Sequence, residues 1–241
     1  MFGYDEILSA ARVAFTDRFG GASQPPYGEL NLGGLGEDPD RIGENYRRIA
    51  DAFEVRPEAI VRVSQVHGRD VHVVMPGDQL PLAPQPKADA LVTTRTDVVL
   101  AVRAADCLPV LLFGDGVIGA AHSGRKGMYV GVVPATVEAM QELGATDITA
   151  VLGPYACGKC YEVPAEMRAE VAERVPASYS ETSWGTPALD VAAGVKSQLA
   201  ELGVEVIDAT RCTIESDDLY SYRREGPESG RMAGLVKLAT P

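Results

Sequence analysis

The sequence predicts an α+β fold built from layered, mixed sheets, and three observations lead there. The stretch spanning residues 88–127, ADALVTTRTDVVLAVRAADCLPVLLFGDGVIGAAHSGRKG, alternates short apolar, β-branched runs with turn-forming Asp and Gly. That is the signature of closely packed buried strands. Helical patterns interrupt the strands at irregular intervals, without the regular βαβ alternation of a Rossmann or barrel architecture. At 241 residues and 46% hydrophobic, the chain can bury a sizeable core. We read residues 1–241 as a single domain.

Taken in order, residues 12–16 (RVAFT) read as a strand that enters the Gly-rich turn Asp17 to Ser23. This turn lacks both the dinucleotide and the P-loop fingerprints. Asp38-Pro39 starts a helix, with Asp as N-cap and Pro at the first helical position. Ile42, Tyr46, Ile49 and Phe53 then share one face. Residues 60–66 and 70–74 read as paired strands turning at His67-Gly68-Arg69. His72 faces away from Val71 and Val73, as a surface or structural residue.

The proline-rich residues 76–87 form a surface loop, too short and too closely flanked by strands to divide the chain. Strands follow at 91–94, 98–102, 109–113 and 117–121. Val133, Val137 and Met140 make a helical stripe that stops at Gly144. A strand at 148–152, helices at 166–175 and 189–202, and strands at 204–207 and 234–238 complete the reading. Tyr222-Arg223-Arg224 reads as extended, which would send the two guanidiniums to opposite faces.

The net charge of -12 and pI of about 4.7 describe a surface that repels phosphate backbones, so no nucleic-acid partner is expected. Small anions remain accessible to local clusters: Arg47-Arg48, Arg125-Lys126, and Arg223-Arg224 with Arg231. No apolar run reaches the roughly 20 residues that span a bilayer, and the first residues are acidic where a signal peptide is basic. A cytoplasmic chain with no membrane partner is expected, with its four cysteines reduced.

Three residues placed at strand–loop junctions suit chemistry better than packing: His67, Cys107 and His122. Zinc accepts imidazole nitrogen and thiolate sulfur, and catalytic sites pair three protein ligands with an open position. Separations of 40 and 15 positions along the chain carry no local metal signature, and two other readings stay open. Cys107 could be a buried small hydrophobe beside satisfied histidines, or a nucleophile with either histidine as base. Asp106 could orient a histidine, or another group supporting the site, in either functional case. Cys157-Gly158-Lys159-Cys160 is a lone CxxC; with Cys212 the one remaining thiol outside Cys107, a four-thiol zinc site is not expected, and we read these as incidental loop cysteines.

Taken together, the motifs resemble the YfiH-like laccase-domain family. They are Phe15-Thr16-x-Arg18-x-Gly20-Gly21-x-Ser23, Leu30-Asn31-Leu32, Gln65-Val66-His67-Gly68, Ala88-Asp89-Ala90, Ala105-Asp106-Cys107-x-Pro109-Val110 and His122-x-Gly124. Gly153-Pro154, Tyr161-Glu162-Val163, Cys212-Thr213 and Ser221-Tyr222-Arg223-Arg224 extend the match over nearly the whole chain.

The resemblance implies an α/β/β/α sandwich grouped with cysteine hydrolases. It also implies zinc held by His67, Cys107 and His122, and phosphorolysis of adenosine, inosine, guanosine and methylthioadenosine with adenosine deamination. Nucleoside and phosphate are then the partners. Cys107 and Arg223 are the expected catalytic residues, and Arg18, Asn31 and Gln65 the expected substrate contacts. The alternative implied function is editing of a peptidoglycan precursor, a UDP-MurNAc carrying a wrong amino acid, through the metal or through Cys107 as nucleophile. Copper is the less favoured metal, because a multi-copper relay needs many histidines and the chain has three. Arg125 stands where many relatives carry Trp, and Tyr46 where they often carry Arg.

Overall fold

The computed structural model describes residues 1–34 and 36–239. In chain order its elements are β1 (Phe2–Leu8), β2 (Ala11–Thr16), α1 (Pro39–Ala52), β3 (Ile60–Val61), β4 (Val71–Val74), β5 (Ala90–Thr93), β6 (Val99–Ala104), β7 (Leu108–Gly114), β8 (Val117–Ser123), α2 (Arg125–Val130), α3 (Val132–Glu142), β9 (Thr149–Leu152), α4 (Ala165–Arg174), β10 (Tyr179–Glu181), β11 (Pro187–Leu189), α5 (Val191–Glu201), β12 (Glu205–Asp208), α6 (Tyr222–Glu225) and β13 (Met232–Leu238). Two mixed sheets result. One has the order β1-β2-β13-β6-β3, the other β12-β9-β7-β8-β5-β4, and β10 pairs with β11 in a separate ribbon.

The layering follows from the pleat. On β6, Val99 and Ala101 face α1, packing with Tyr46, Ile49 and Phe53. Leu100 and Val102 face the other way, meeting Leu111, Phe113, Ile118 and Val151 of the second sheet. On β7, Leu108, Val110 and Leu112 face the opposite side again, packing with residues of α2, α3 and α5. The order is therefore helix, sheet, sheet, helices. Both faces of the central strands are covered, which is why they read as continuous apolar runs rather than as an alternation.

Two close approaches set the spacing between the sheets. A Cβ on Gly153, just after β9, would run into the Phe15 ring of β2, and one on Gly234 of β13 would come within 3.0 Å of Pro109 on β7. Each sheet offers a glycine to a ring of the other.

Three local expectations need correction. Residues 60–66 do not form one strand: β3 ends at Val61, and the amide of Ser64 turns to the carbonyl of Pro86. Consequently β3 pairs with β6 in one sheet and β4 with β5 in the other, so these segments are not a hairpin. Tyr222–Glu225 is a helical turn, capped by Ser221 accepting from the Arg224 amide. Leu189 ends a strand, and the helix after it starts at Val191 with Asp190 as N-cap. The Asp38 cap and the buried face of α1 agree with the sequence reading.

Candidate metal centre and anion pocket

The seam between the sheets positions the chemistry. β6 belongs to one sheet and β7 to the other, so the connection Ala105-Asp106-Cys107 must cross between them. His122 projects near the end of β8, opposite Pro109 of β7, and His67 sits on the loop between β3 and β4. One donor atom from each of His67, Cys107 and His122 lies within 4.8 Å of the others. The Cys107 Sγ is 3.9 Å from Nε2 of His67, and the imidazole rings meet edge to face at 4.8 Å.

This arrangement fits a tetrahedral cation. Sulfur and nitrogen on one zinc would stand roughly 3.6 Å apart, from Zn–S of about 2.3 Å and Zn–N of about 2.1 Å. A Cβ on Gly124 would come within 2.6 Å of the sulfur, so the glycine leaves room for it.

Asp89 holds the triad together. It is fully buried at 0% exposure. Its Oδ1 accepts from the His67 amide at 2.9 Å and lies 2.9 Å from Nδ1 of His122. Its Oδ2 accepts from the amides of Val66 at 3.0 Å and Gly68 at 2.6 Å. These bonds hold His67 in a left-handed conformation, φ 61°, that a non-glycine residue keeps only when its surroundings impose it. With Nδ1 of His122 engaged, Nε2 is the nitrogen left for a metal, the usual division of labour in metal-binding histidines.

Charge follows geometry. Burial would raise the Asp89 carboxyl, but the bonds from His122 and the three amides outweigh it and hold it below the usual range. Burial alone would likewise raise the Cys107 thiol. The adjacent His122 and His67 prevail and lower it to about 6. For His122, burial is overcome by Cys107 and Asp89, which raise it to about 9. Both shifts favour a thiolate beside an imidazolium, and thiolate is the form that ligates zinc.

The triad opens into a cavity of about 660 Å³, in the range of small-molecule sites (about 300–1,000 Å³). Arg103, Arg223 and Arg231 also line it, with Tyr161 and Tyr222. Among the described residues none of these three arginines forms an ion pair, although the chain carries a large excess of acid. Burial depresses the Arg231 guanidinium below its ordinary value. Arg223 is exposed and Arg231 the desolvated one; guanidiniums without a carboxylate partner converging on one cavity make an anion site.

The other expected residues divide. Gln65 lines the cavity, but both ends of its amide are engaged with the backbone of Arg103, at 2.8 and 2.9 Å. Arg18 is not part of the lining; it pairs with Glu225 at 2.8 Å and stacks on Tyr220. Asn31 is buried behind the wall, where its Oδ1 accepts from the Arg231 amide at 2.8 Å and so places that arginine. Asp106 does not orient a histidine. With φ 83° it turns toward the Thr213 hydroxyl and the Arg223 amide, each at 2.6 Å. Arg224 points away from the cavity and binds backbone carbonyls of Thr213, Ile214, Ser216 and Leu219. Arg47 and Arg48 pair with Glu44.

Residues 12–239 match the family described as multi-copper polyphenol oxidoreductase laccase. The chain belongs to that family. Among its members, purine nucleoside phosphorylase ORF3 of Streptomyces griseus is 55% identical over 238 residues, covering 96% of each chain. Purine nucleoside phosphorylase SCO2081 of Streptomyces coelicolor is 51% identical, over 99% of this chain and 100% of that one. The solved structure of YlmD from Geobacillus stearothermophilus superposes with a TM-score of 0.87 at 30% identity, covering 96% of this chain and 93% of that one. Against the laccase name stands the histidine inventory: besides His67 and His122 there is only His72, on β4, outside the triad. No helix among the described residues is long and apolar enough to cross a membrane.

Proposed function

We propose that the chain is a zinc-dependent purine nucleoside phosphorylase acting on adenosine, inosine, guanosine and methylthioadenosine, and that the same cavity deaminates adenosine. The observation that carries this reading is the division of one cavity into a metal triad on one wall and unpaired guanidiniums on another. The names of the two Streptomyces relatives support it. His67, Cys107 and His122 would hold the zinc. Bound there, it supplies a Lewis acid that lowers the pKa of water to about 7.

The protein's own part is binding and orientation. Arg223 is held on both sides, its amide by Asp106 and its Nη1 donating to the Glu162 carbonyl at 3.0 Å, with its guanidinium over Tyr161. With Arg103 and Arg231 it would bind phosphate so that one oxygen faces the anomeric carbon. As that oxygen bonds to C1′, the glycosidic bond breaks and the purine leaves with the bonding pair. Tyr161 and Tyr222, each beside one of these guanidiniums, line the cavity where the base would lie.

Incubation of zinc-loaded protein with inosine and phosphate tests the reading. Ribose-1-phosphate and hypoxanthine should appear together, and neither should appear without phosphate. Adenosine should additionally yield ammonia. A second reading is favoured by the Cys107–His122 thiolate–imidazolium pair: editing of a peptidoglycan precursor with Cys107 as nucleophile. Intact inosine together with a covalent precursor adduct on Cys107 would select it.

A further inference from the structure

We propose a second, structural zinc site formed by Cys157, Cys160, Cys212 and Glu215, separate from the triad. Donor atoms from all four residues lie within 4.8 Å of one another. The sequence reading treated the CxxC as incidental because it sought a fourth thiol. The fold supplies a carboxylate instead, at the same spacing: Cys157-x-x-Cys160 meets Cys212-x-x-Glu215.

Two matching loops build the cluster. Tyr155 and Cys212 form a parallel bridge, with the Tyr155 amide donating to the Arg211 carbonyl at 3.0 Å and the Thr213 amide to the Tyr155 carbonyl at 2.9 Å. Beyond that bridge each chain makes a turn, at 158–160 and 213–215. In the first turn the amides of Cys160 and Tyr161 both reach the Cys157 carbonyl, at 2.9 and 2.8 Å. The Lys159 amide points at the Cys157 sulfur. A CxxC folded into such a turn is the half-site of structural zinc centres.

A divalent cation there would take three sulfurs and one carboxylate oxygen in a closed tetrahedral shell. Its place in the fold gives it a task. It would clamp the loop that carries Tyr161 to the loop whose Thr213 holds Asp106, and so brace the wall bearing Arg223.

Metal content and cobalt spectra of the full chain, reduced and loaded with Zn²⁺ or Co²⁺, test the assignment. The wild type should hold two zinc ions, and H67A/C107A, which dismantles the triad, should keep one. C157S/C212S should lose one while keeping that of the triad, and E215Q should bind the second ion more weakly. Should C157S/C212S fail to fold, the cobalt form of H67A/C107A decides. It should show thiolate-to-cobalt charge transfer from three sulfurs, bleached on competition with zinc. The assignment is overturned if H67A/C107A is folded yet holds no zinc and gives no such band. A disulfide between Cys157 and Cys160 in protein purified under reducing conditions would overturn it equally.

Discussion

Replacing Asp89 with Asn tests the scaffold beneath the triad. The carboxylate accepts four contacts, two at each oxygen: the His67 amide and His122 Nδ1 at one, the Val66 and Gly68 amides at the other. An Asn keeps one oxygen and replaces the other with an amino group that faces two donors. Each buried donor left without an acceptor costs about 1–3 kcal/mol, so D89N should lose about 2–6 kcal/mol of stability. Freed from its partner, the His122 ring should also bind metal some 10- to 100-fold more weakly, a typical cost for a lost orienting group. Urea unfolding of the metal-free protein measures the first effect, and competition with a chromophoric chelator the second. A stability loss below about 0.5 kcal/mol, the scale of a surface change, with unaltered zinc affinity would refute the assigned role.

Metal-free protein should alkylate at Cys107 with a midpoint near pH 6, set by the lowered thiol. The thiol is reactive once deprotonated, so rates should already be at plateau at pH 7, below the roughly 8.5 of an ordinary thiol; zinc should block the reaction. R223A and R231A should each raise the KM for phosphate roughly 10- to 150-fold, for a lost charge-assisted bond of about 1.5–3 kcal/mol. R224A should instead lower thermal stability with the phosphate KM little changed, since Arg224 ties down backbone carbonyls of its own loop. G153A should cost about 1–3 kcal/mol by overpacking. Adding F15L should recover part of that loss in urea unfolding.

The parts of this molecule legible in its sequence are those decided locally. The Asp38-Pro39 cap and the run 108–113 carry their conformations in their own residues, the latter because both faces of β7 are buried. Residues 60–66 look equally strand-like, yet Ser64 finds its partner at Pro86, a tertiary choice no local pattern displays. Tyr220 to Arg224 has strand composition, but Ser221 caps it and Asp106, 117 positions away, takes the Arg223 amide. His67, Cys107 and His122 were nameable from their places at strand–loop junctions and from resemblance, and not from spacing. Asp89 was legible only within the motif Ala88-Asp89-Ala90, with no role attached, and Glu215 not at all, because its approach to three thiols is a coincidence of loops. Arg231 was legible as part of a basic cluster with Arg223, whereas Arg103 escaped because an arginine without a counter-ion is visible only when its neighbours are known.

The glycine–ring contacts at Gly153 and Gly234 act as a pair of spacers. The candidate ligands Cys107 and His122 ride with one slab of the sandwich, Arg103 and Arg231 with the other. The distance from the His–Cys–His triad to the guanidiniums is thus a thickness, gauged outside the cavity lining. Thickening either spacer by one methyl would retune which molecules fit, with every lining residue unchanged.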